Sequence, residues 1–201
     1  DWYLKGVGDK PGLFVEIQSN QGQWRIEDRY PPQDMETILF DLGGDLMNVA
    51  GGTTTILPNG NFGPIYETQA FTEDIWISGL PRLHIDVSTA TVGGQIYALL
   101  EDCSEEGYCI HIGHAIMDLR YHEGGNQEQT WLPILDTINA KMEFFAMDVQ
   151  IEAGHTLRLS LASTGEDYLP ASTSSIVEVS EGSNSNPVSY THLTLPTNRE
   201  V

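Results

Sequence analysis

The stretch of this sequence richest in reactive side chains runs from Glu101 to His114 and reads EDCSEEGYCIHIGH. Its Cys103, Cys109, His111 and His114 are of the types that bind Zn²⁺ tetrahedrally. If residues 109–121 form one strand, Cys109 and His111 point to one face and His114 to the other, so one ion reaches all four only with a bulge. Alternatively, the cysteines lie across a hairpin as two free thiols or as a disulfide, which needs β-carbons about 3.5–4.5 Å apart.

The same segment carries four carboxylates around its turn, which could in principle bind calcium. They are Glu101, Asp102, Glu105 and Glu106. Oxygen ligands of this kind suit Ca²⁺. Adjacent acids are also expected by chance in a strongly acidic chain, and the sequence favours a solvated acidic tip.

Aromatic side chains offer a third kind of chemistry, a stacking platform for sugars. Trp24, Trp76 and Trp131 are the candidates. Trp76 lies between Ile75 and Ile77, and this apolar run favours core packing for it.

Catalytic motifs are missing from the sequence. It has no Gly-x-Ser-x-Gly elbow, no HExxH, no CxxC, no phosphate-binding glycine loop and no calcium-loop spacing. We therefore predict no catalytic residue, no cofactor and no metal in this chain. A small enzyme that acts alone is the least favoured function.

The elements that must position these residues are strands. Apolar and polar residues alternate in many short runs, a period of two that is typical of half-buried strands. Turn clusters rich in Gly, Asn and Pro separate the runs. Only residues 1–6 and 134–141 fit short helices. The pattern predicts an all-β fold and favours an antiparallel sandwich or jelly roll over any α/β fold.

The net charge of the chain excludes some classes of binding partner. The 201 residues carry 29 Asp and Glu against 9 Lys and Arg, a formal net charge of −20. Such a surface repels phosphate, which excludes nucleic acid and anionic membranes as partners. No apolar run is long enough to span a bilayer. Localisation stays open.

Several segments, taken in order, resemble one family. They are DWYLKG, GQWRIEDRYPP, GPIYETQAFTEDIWISGLPRLHIDVST, QIYALLED, IGHAIMDLRYHE and EAGHTLRLSLAS, which together extend from residue 1 to about 180. In this order they resemble the C-terminal domain of the X-Pro dipeptidyl-peptidase, cocaine esterase and α-amino-acid ester hydrolase family of serine hydrolases.

The resemblance implies an all-β jelly-roll β-sandwich of the galactose-binding-domain type, and it implies that catalysis belongs to another domain. In that family the catalytic triad lies in a preceding α/β-hydrolase domain, and residues 1–10 match the junction to it. None of the five histidines that we compared matches a triad position: His84, His111, His114, His122 and His155. His155 would instead fix the turn before strand 156–163.

The resemblance thus implies a non-catalytic domain, residues 1–187, that braces the hydrolase domain of the same polypeptide and borders its active-site cleft. Trp2, Tyr3 and Leu4 would belong to the apolar contact. The loop at 51–63, shorter than in relatives, would approach the acyl pocket. The substrate and a homo-oligomer of the full enzyme are left open, and a carbohydrate-binding module is the alternative function.

Residues 188–201 have two interpretations. His192 to Pro196 loosely fits the Leu-x-Leu-Pro strand with which relatives end. The segment VSYTHLTLPTNREV also resembles a translated adapter sequence, the interpretation we favour. An artefactual tail should be disordered or poorly packed.

Overall fold

The computed structural model describes residues 5–8, 12, 14–33, 35–123, 129–165, 167–173, 175–181 and 192–198. In this part of the chain strands dominate, accompanied by the short 3₁₀ helix Leu119–Tyr121. The strands are β1 Val15–Gln18, β2 Trp24–Glu27, β3 Glu36–Asp41, β4 Met47–Asn48, β5 Thr55–Ile56, β6 Ile65–Glu67, β7 Ile75–Gly79, β8 Arg82–Thr89, β9 Gln95–Cys103, β10 Cys109–Asp118, β11 Ile138–Glu143, β12 Met147–Ile151, β13 Thr156–Ala162, β14 Val177–Ser180 and β15 His192–Asn198.

The strands form two large sheets and one hairpin. The first sheet has five antiparallel strands in the order β10-β9-β13-β6-β4. In the second, β7 and β8 lie in the middle; β12 and β11 pair with one side, and β15 and β14 pair with the other. Strands β3 and β5 pair in turn with β15 and β14. Strands β1 and β2 make a separate hairpin.

Alternating burial explains why these segments are strands. In β8, Leu83, Ile85 and Val87 are fully buried, whereas His84 and Asp86 between them are not. Strands β9 and β13 contribute buried aliphatic side chains from the other sheet to the same core cluster. The all-β prediction is confirmed, and the shared core is that of a sandwich. Jelly-roll connectivity stays a prediction.

The helix prediction for residues 134–141 is wrong. Residues 138–143 form β11, which pairs with β8 from Ile138 opposite Val87 to Glu143 opposite Arg82. The buried side chains of this strand, Ala140 and Met142, are two residues apart, so a period of two decides the structure here. The other predicted helix falls almost wholly outside the described residues.

Part of the doubtful tail is a strand. Residues 192–198 form β15, which runs antiparallel to β3, with His192 opposite Asp41 and Thr197 opposite Glu36. Its other side pairs with β8 and β7. The backbone of residues 192–198 is therefore ordered, because the strand supplies backbone partners to three others. The interpretation of residues 188–201 as an artefact stays a prediction.

This position leads to a prediction about stability. We expect a chain that ends at residue 187 to lose at least about 3 kcal/mol of unfolding free energy, because each backbone hydrogen bond contributes on the order of 1 kcal/mol. Urea unfolding monitored by tryptophan fluorescence measures the loss. A chain that ends at Asn198 is the control and should match the full chain. Equal stability of the 187-residue chain would contradict the role of β15.

Candidate functional site

The two cysteines close the tip of the β9–β10 hairpin. Cys103 and Cys109 lie opposite each other in register, with an S–S distance of 2.09 Å and a Cα–Cα distance of 4.0 Å. Sulfur atoms bonded to each other are not thiolate ligands. The predicted alternative of a four-ligand zinc site with His111 and His114 is therefore not formed in the structure.

A bulge in β10 changes the faces of the two histidines. The register shifts between His111 and Gly113, so Ile112 is an extra residue in the strand. The shift places His111 and His114 on one face, where an uninterrupted strand would separate them. The Nδ1 atom of His114 lies 3.1 Å from Nε2 of His111. Burial, and then the neighbouring His111, lower the pKa of His114, while Asp167 opposes this effect.

The four carboxylates of the turn do not converge. The Oδ1 atom of Asp102, which is buried, lies 2.7 Å from Nδ1 of His155. The backbone amide of Glu106 itself, and then the Ser104 hydroxyl, which donates a hydrogen bond of 2.9 Å to its carboxylate, lower the pKa of Glu106. Among the described residues, no group of three or more His, Cys, Asp or Glu side chains is arranged to hold a metal ion.

The three tryptophans lie in three different surroundings. Trp76 is stacked under the Arg25 guanidinium at 4.9 Å from the ring centroid, and its indole N–H donates to Asp148 at 3.0 Å. Trp131 lies beside Arg120, at 5.9 Å. Trp24 projects from the other side of the β1–β2 hairpin. Trp76, for which the sequence favoured core packing, is half-buried under this hairpin.

The inner side of the β1–β2 hairpin carries Val15, Ile17, Arg25 and Glu27, and polar contacts fix it to the second sheet. The Arg25 guanidinium donates to both oxygens of Asp148, at 2.5 and 3.0 Å, and to the Ser78 hydroxyl at 2.8 Å. The Asp148 side chain is 4% exposed. Sequence reasoning missed this pair, although Arg25 and Glu27 alternate with Trp24 and Ile26. A bidentate contact fixes orientation as well as distance.

Two further contacts fix the ends of the hairpin. Beyond β2, the Tyr30 hydroxyl lies 2.7 Å from the Met147 carbonyl oxygen and 3.1 Å from that of Gly79. Burial, followed by the Asp148 charge, raises the pKa of Tyr30. In the turn, Asn20 and the backbone of Gln150 exchange two hydrogen bonds of 2.8 and 3.0 Å.

The opposite side of the hairpin exposes two large apolar side chains. The β1–β2 register places Glu16, Gln18, Trp24 and Ile26 on this side. Trp24 is 65% exposed and Ile26 is 70% exposed. We call these four residues the hairpin outer face. The missed signal was again the alternation in Trp-Arg-Ile-Glu, in which the charged residues face inward.

A second apolar feature is the loop that we call the 49–63 loop. Its exposed side chains include Val49, Leu57 and Phe62. Backbone bonds from Val49 N–H to Ile65 and from Gly63 N–H to Leu161, both 2.8 Å, fix its ends. A β-carbon at Gly63 would lie 2.4 Å from the Thr55 carbonyl oxygen, so this closure requires glycine.

The Trp2, Tyr3 and Leu4 patch predicted from the sequence lies outside the described residues. In the described part of the chain, no helix has the length and apolar character needed to cross a bilayer.

The Arg25–Asp148 pair leads to a prediction. Arg25→Ala should lower the unfolding free energy by about 3 kcal/mol, because it leaves a buried carboxylate unpaired. Arg82→Ala is the matched control: its ion pair with Glu143 is 58% and 51% exposed, and its loss should cost less than about 1 kcal/mol. Urea unfolding of both variants measures the difference. Equal losses would show that the Asp148 contact is no stronger than a surface pair.

The known proteins to which this chain is similar agree with its all-β fold. Residues 5–193 match the model of the X-Pro dipeptidyl-peptidase C-terminal non-catalytic domain. A search of curated protein sequences finds no match.

Similar solved structures include a CocE/NonD family hydrolase from Staphylococcus aureus, with 12% identity and a TM-score of 0.77 over 98% of this chain. An aminopeptidase from a marine sediment Thaumarchaeota archaeon has 13% identity and a TM-score of 0.68 over 99%. An α-amino acid ester hydrolase has 15% identity and a TM-score of 0.58 over 93%.

This chain spans 44%, 42% and 36% of the length of those three proteins. At these identities, the structural likeness shows the fold alone. The family match covers nearly the whole sequence and reaches into β15. The chain belongs to the family of X-Pro dipeptidyl-peptidase C-terminal non-catalytic domains.

Proposed function

We propose that this chain is a bracing domain of a serine hydrolase of the dipeptidyl-peptidase or acyl esterase type. It supports the α/β-hydrolase domain that precedes it in the same polypeptide and borders the active-site cleft. The observation that carries the proposal is the β1–β2 hairpin, whose inner side is fixed by polar contacts and whose outer face exposes Trp24 and Ile26.

The contacts of the inner side fix the hairpin rigidly to the second sheet. Arg25 and Tyr30 bond to residues of both β7 and β12, so the hairpin cannot tilt without breaking contacts to two strands. Asn20 adds the contact at the turn. A surface held in this way needs little ordering when it binds, which favours affinity.

The outer face supplies the apolar contact. Trp24 and Ile26 are neighbours on one side of β2, and side chains of this size gain roughly 1.5–3 kcal/mol each when buried. An apolar pair rimmed by Glu16 and Gln18 has the arrangement of an interface, with an apolar centre and a polar rim. In a C-terminal domain the hairpin follows the connection from the preceding domain, which supports that domain as its partner.

The 49–63 loop supports the second part of the proposal, the border of the cleft. Phe62 packs near Tyr97 at a ring distance of 6.4 Å, and the Gly60 N–H donates to the Ser163 hydroxyl at 3.0 Å. The loop therefore has a fixed base, while Leu57 and Val49 stay exposed. Apolar side chains on a fixed loop suit a wall for an acyl group.

The chemistry of the complete enzyme follows from its proposed class. A base-activated serine of the preceding domain attacks the carbonyl group, and backbone donors hold the developing negative charge. This chain then contributes to substrate position and to the exclusion of water, and its own histidines take no part.

The carbohydrate-binding alternative is not favoured. A sugar platform needs aromatic rings that are exposed together, whereas Trp76 is tied to Arg25 and Asp148, and Trp131 lies beside Arg120. Trp24 and Trp131 are both exposed, and an exposed indole serves a protein contact equally well.

The test of the bracing role compares two contexts. In the full-length polypeptide, Trp24→Ser with Ile26→Ser should lower the unfolding free energy by about 3 kcal/mol, since two buried apolar side chains are lost. In the isolated 201-residue chain the same change should stay within about 0.5 kcal/mol, because both side chains are exposed. Urea unfolding in each context measures the difference.

Tyr108→Ser with Ile110→Ser is the matched control, since these residues are 78% and 67% exposed at the far tip of β10. It should have no effect in either context. Equal shifts of the Trp24 and Ile26 variant in both contexts would contradict the bracing role. Saturable turnover of nitrophenyl esters by the isolated chain would contradict its non-catalytic character.

The cleft border has a separate test. Exchange of the 49–63 loop in the full-length polypeptide for the matching loop of a relative should change kcat/KM unequally across a series of acyl groups. Exchange of the turn 104–107 serves as the control and should change none of them. Unchanged ratios after the loop exchange would remove the loop from the pocket.

A further inference from the structure

We propose that His111 and His114 form a two-imidazole binding site for a divalent transition metal on the outer face of the five-stranded sheet. The pair belongs neither to the hairpin outer face nor to the 49–63 loop. The ligand atoms are Nε2 of His111 and Nδ1 of His114.

The distance between these two nitrogens has the size of a metal chelate. Imidazole nitrogens bind Zn²⁺ at roughly 2.0–2.1 Å, and related ions at similar distances. Two such bonds with their nitrogens 3.1 Å apart enclose an angle of about 98° at the metal. This angle lies between those of octahedral and tetrahedral coordination. His111 is exposed, so water can fill the remaining positions.

The backbone imposes this arrangement. Because Ile112 is the extra residue of the bulge, β10 presents residues 111 and 114 on one side while both flanks stay paired with β9, from Cys109 opposite Cys103 to Asp118 opposite Gln95. The relative positions of the two Cα atoms are therefore fixed by the sheet. Only side-chain rotation is left to be ordered when a metal binds.

Tyr168 orients the second imidazole. Its hydroxyl lies 2.8 Å from Nε2 of His114, the ring nitrogen that faces away from His111. With Nε2–H donating to that oxygen, Nδ1 carries the lone pair. Metal-binding histidines commonly use their second nitrogen in this way, which fixes the ring and its tautomer.

Tyr168 is itself held by a short turn. Its N–H donates to the Gly165 carbonyl at 3.1 Å, and its carbonyl accepts from the Thr164 hydroxyl at 3.0 Å. A β-carbon at Gly165 would lie 2.6 Å from the Tyr97 ring, so only glycine lets the turn lie this close to β9. The bulge in β10 thus positions the two histidines, and the turn that carries Tyr168 orients the imidazole of His114.

The ligand set indicates which ions fit. Imidazole suits Cu²⁺, Ni²⁺ and Zn²⁺, and Cu²⁺ binds most tightly in the general order of affinities. The described residues provide no third His, Cys, Asp or Glu in range, and Cys103 and Cys109 are bonded to each other. Water thus completes the shell. A net charge of −20 raises the concentration of cations near the surface.

The test uses the metal-free 201-residue chain, prepared without reductant, with a thiol count in denaturant to verify that the cysteines are oxidised. Calorimetric titration with CuCl₂ and then with NiCl₂ should show binding at one site. Electron paramagnetic resonance of the Cu²⁺ form should show two coupled nitrogens.

The variants separate the ligands from their surroundings. Tyr168→Phe removes only the orienting contact and should weaken binding about 10-fold to 100-fold. His111→Ala removes a ligand and should weaken it at least as much, by about tenfold or more. His122→Ala is the control, because Nδ1 of His122 faces the Leu119 carbonyl, 3.0 Å away, and its loss should leave the affinity unchanged.

Two results would overturn the proposal. One is equal affinity in the native chain and in the His111→Ala, His114→Ala double variant. The other is a copper signal with fewer than two nitrogens in the native chain. Thermal unfolding without metal accompanies each variant, and His111 is exposed, so its replacement leaves the fold intact for the comparison.

Discussion

The constraint on which the rest of this structure depends is the period of two along a strand. In a two-sheet sandwich each strand directs one side towards the core and the other side away from it, and a register slip of one residue exchanges the two sides. Strand β8 keeps strict alternation and puts Leu83, Ile85 and Val87 into the core. The two features for which we propose a function arise where this alternation is broken or turned around.

Strand β2 turns the usual assignment around. Its charged Arg25 faces the sheet, and Trp24 and Ile26 face outward, whereas in β1 the apolar Ile17 is buried on the inner side. For β2, apolar burial alone would have favoured the opposite orientation. The bidentate Arg25–Asp148 contact and the Trp76 indole N–H satisfy the buried charge, so the reversed orientation is stable. An ion pair of this kind adds little net stability compared with apolar residues, but it specifies orientation. We infer that the Arg25–Asp148 contact serves to orient the hairpin, because the exposure of Trp24 and Ile26 on the hairpin outer face depends on that orientation.

Sequence reasoning predicted what depends on local pattern. The core strand β8 follows directly from alternation, as does the all-β class, whereas β9 is wholly or partly buried along its whole length. The segment 134–141 was misassigned because its helical and strand patterns are equally short, and pairing with β8 decides between them. The choice between free thiols and a disulfide was left open, since it depends on a β-carbon distance that no pattern contains. The histidine pair was placed on opposite faces because the bulge was not assigned, although a glycine inside a strand, here Gly113, is a known signal of one.

The two remaining features that sequence reasoning missed share one physical cause. The Arg25–Asp148 contact joins residues 123 positions apart, and the His114–Tyr168 contact joins residues 54 apart. Contacts at such separations depend on how sheets and turns pack in three dimensions, and the local period of the sequence contains no information about them.

The acidic surface bears on how the exposed apolar side chains of the hairpin outer face can be used. At a net charge of −20, copies of this chain repel one another. An exposed Trp24 and Ile26 can therefore persist without self-association, and a partner must match the rim around them as well as their apolar centre.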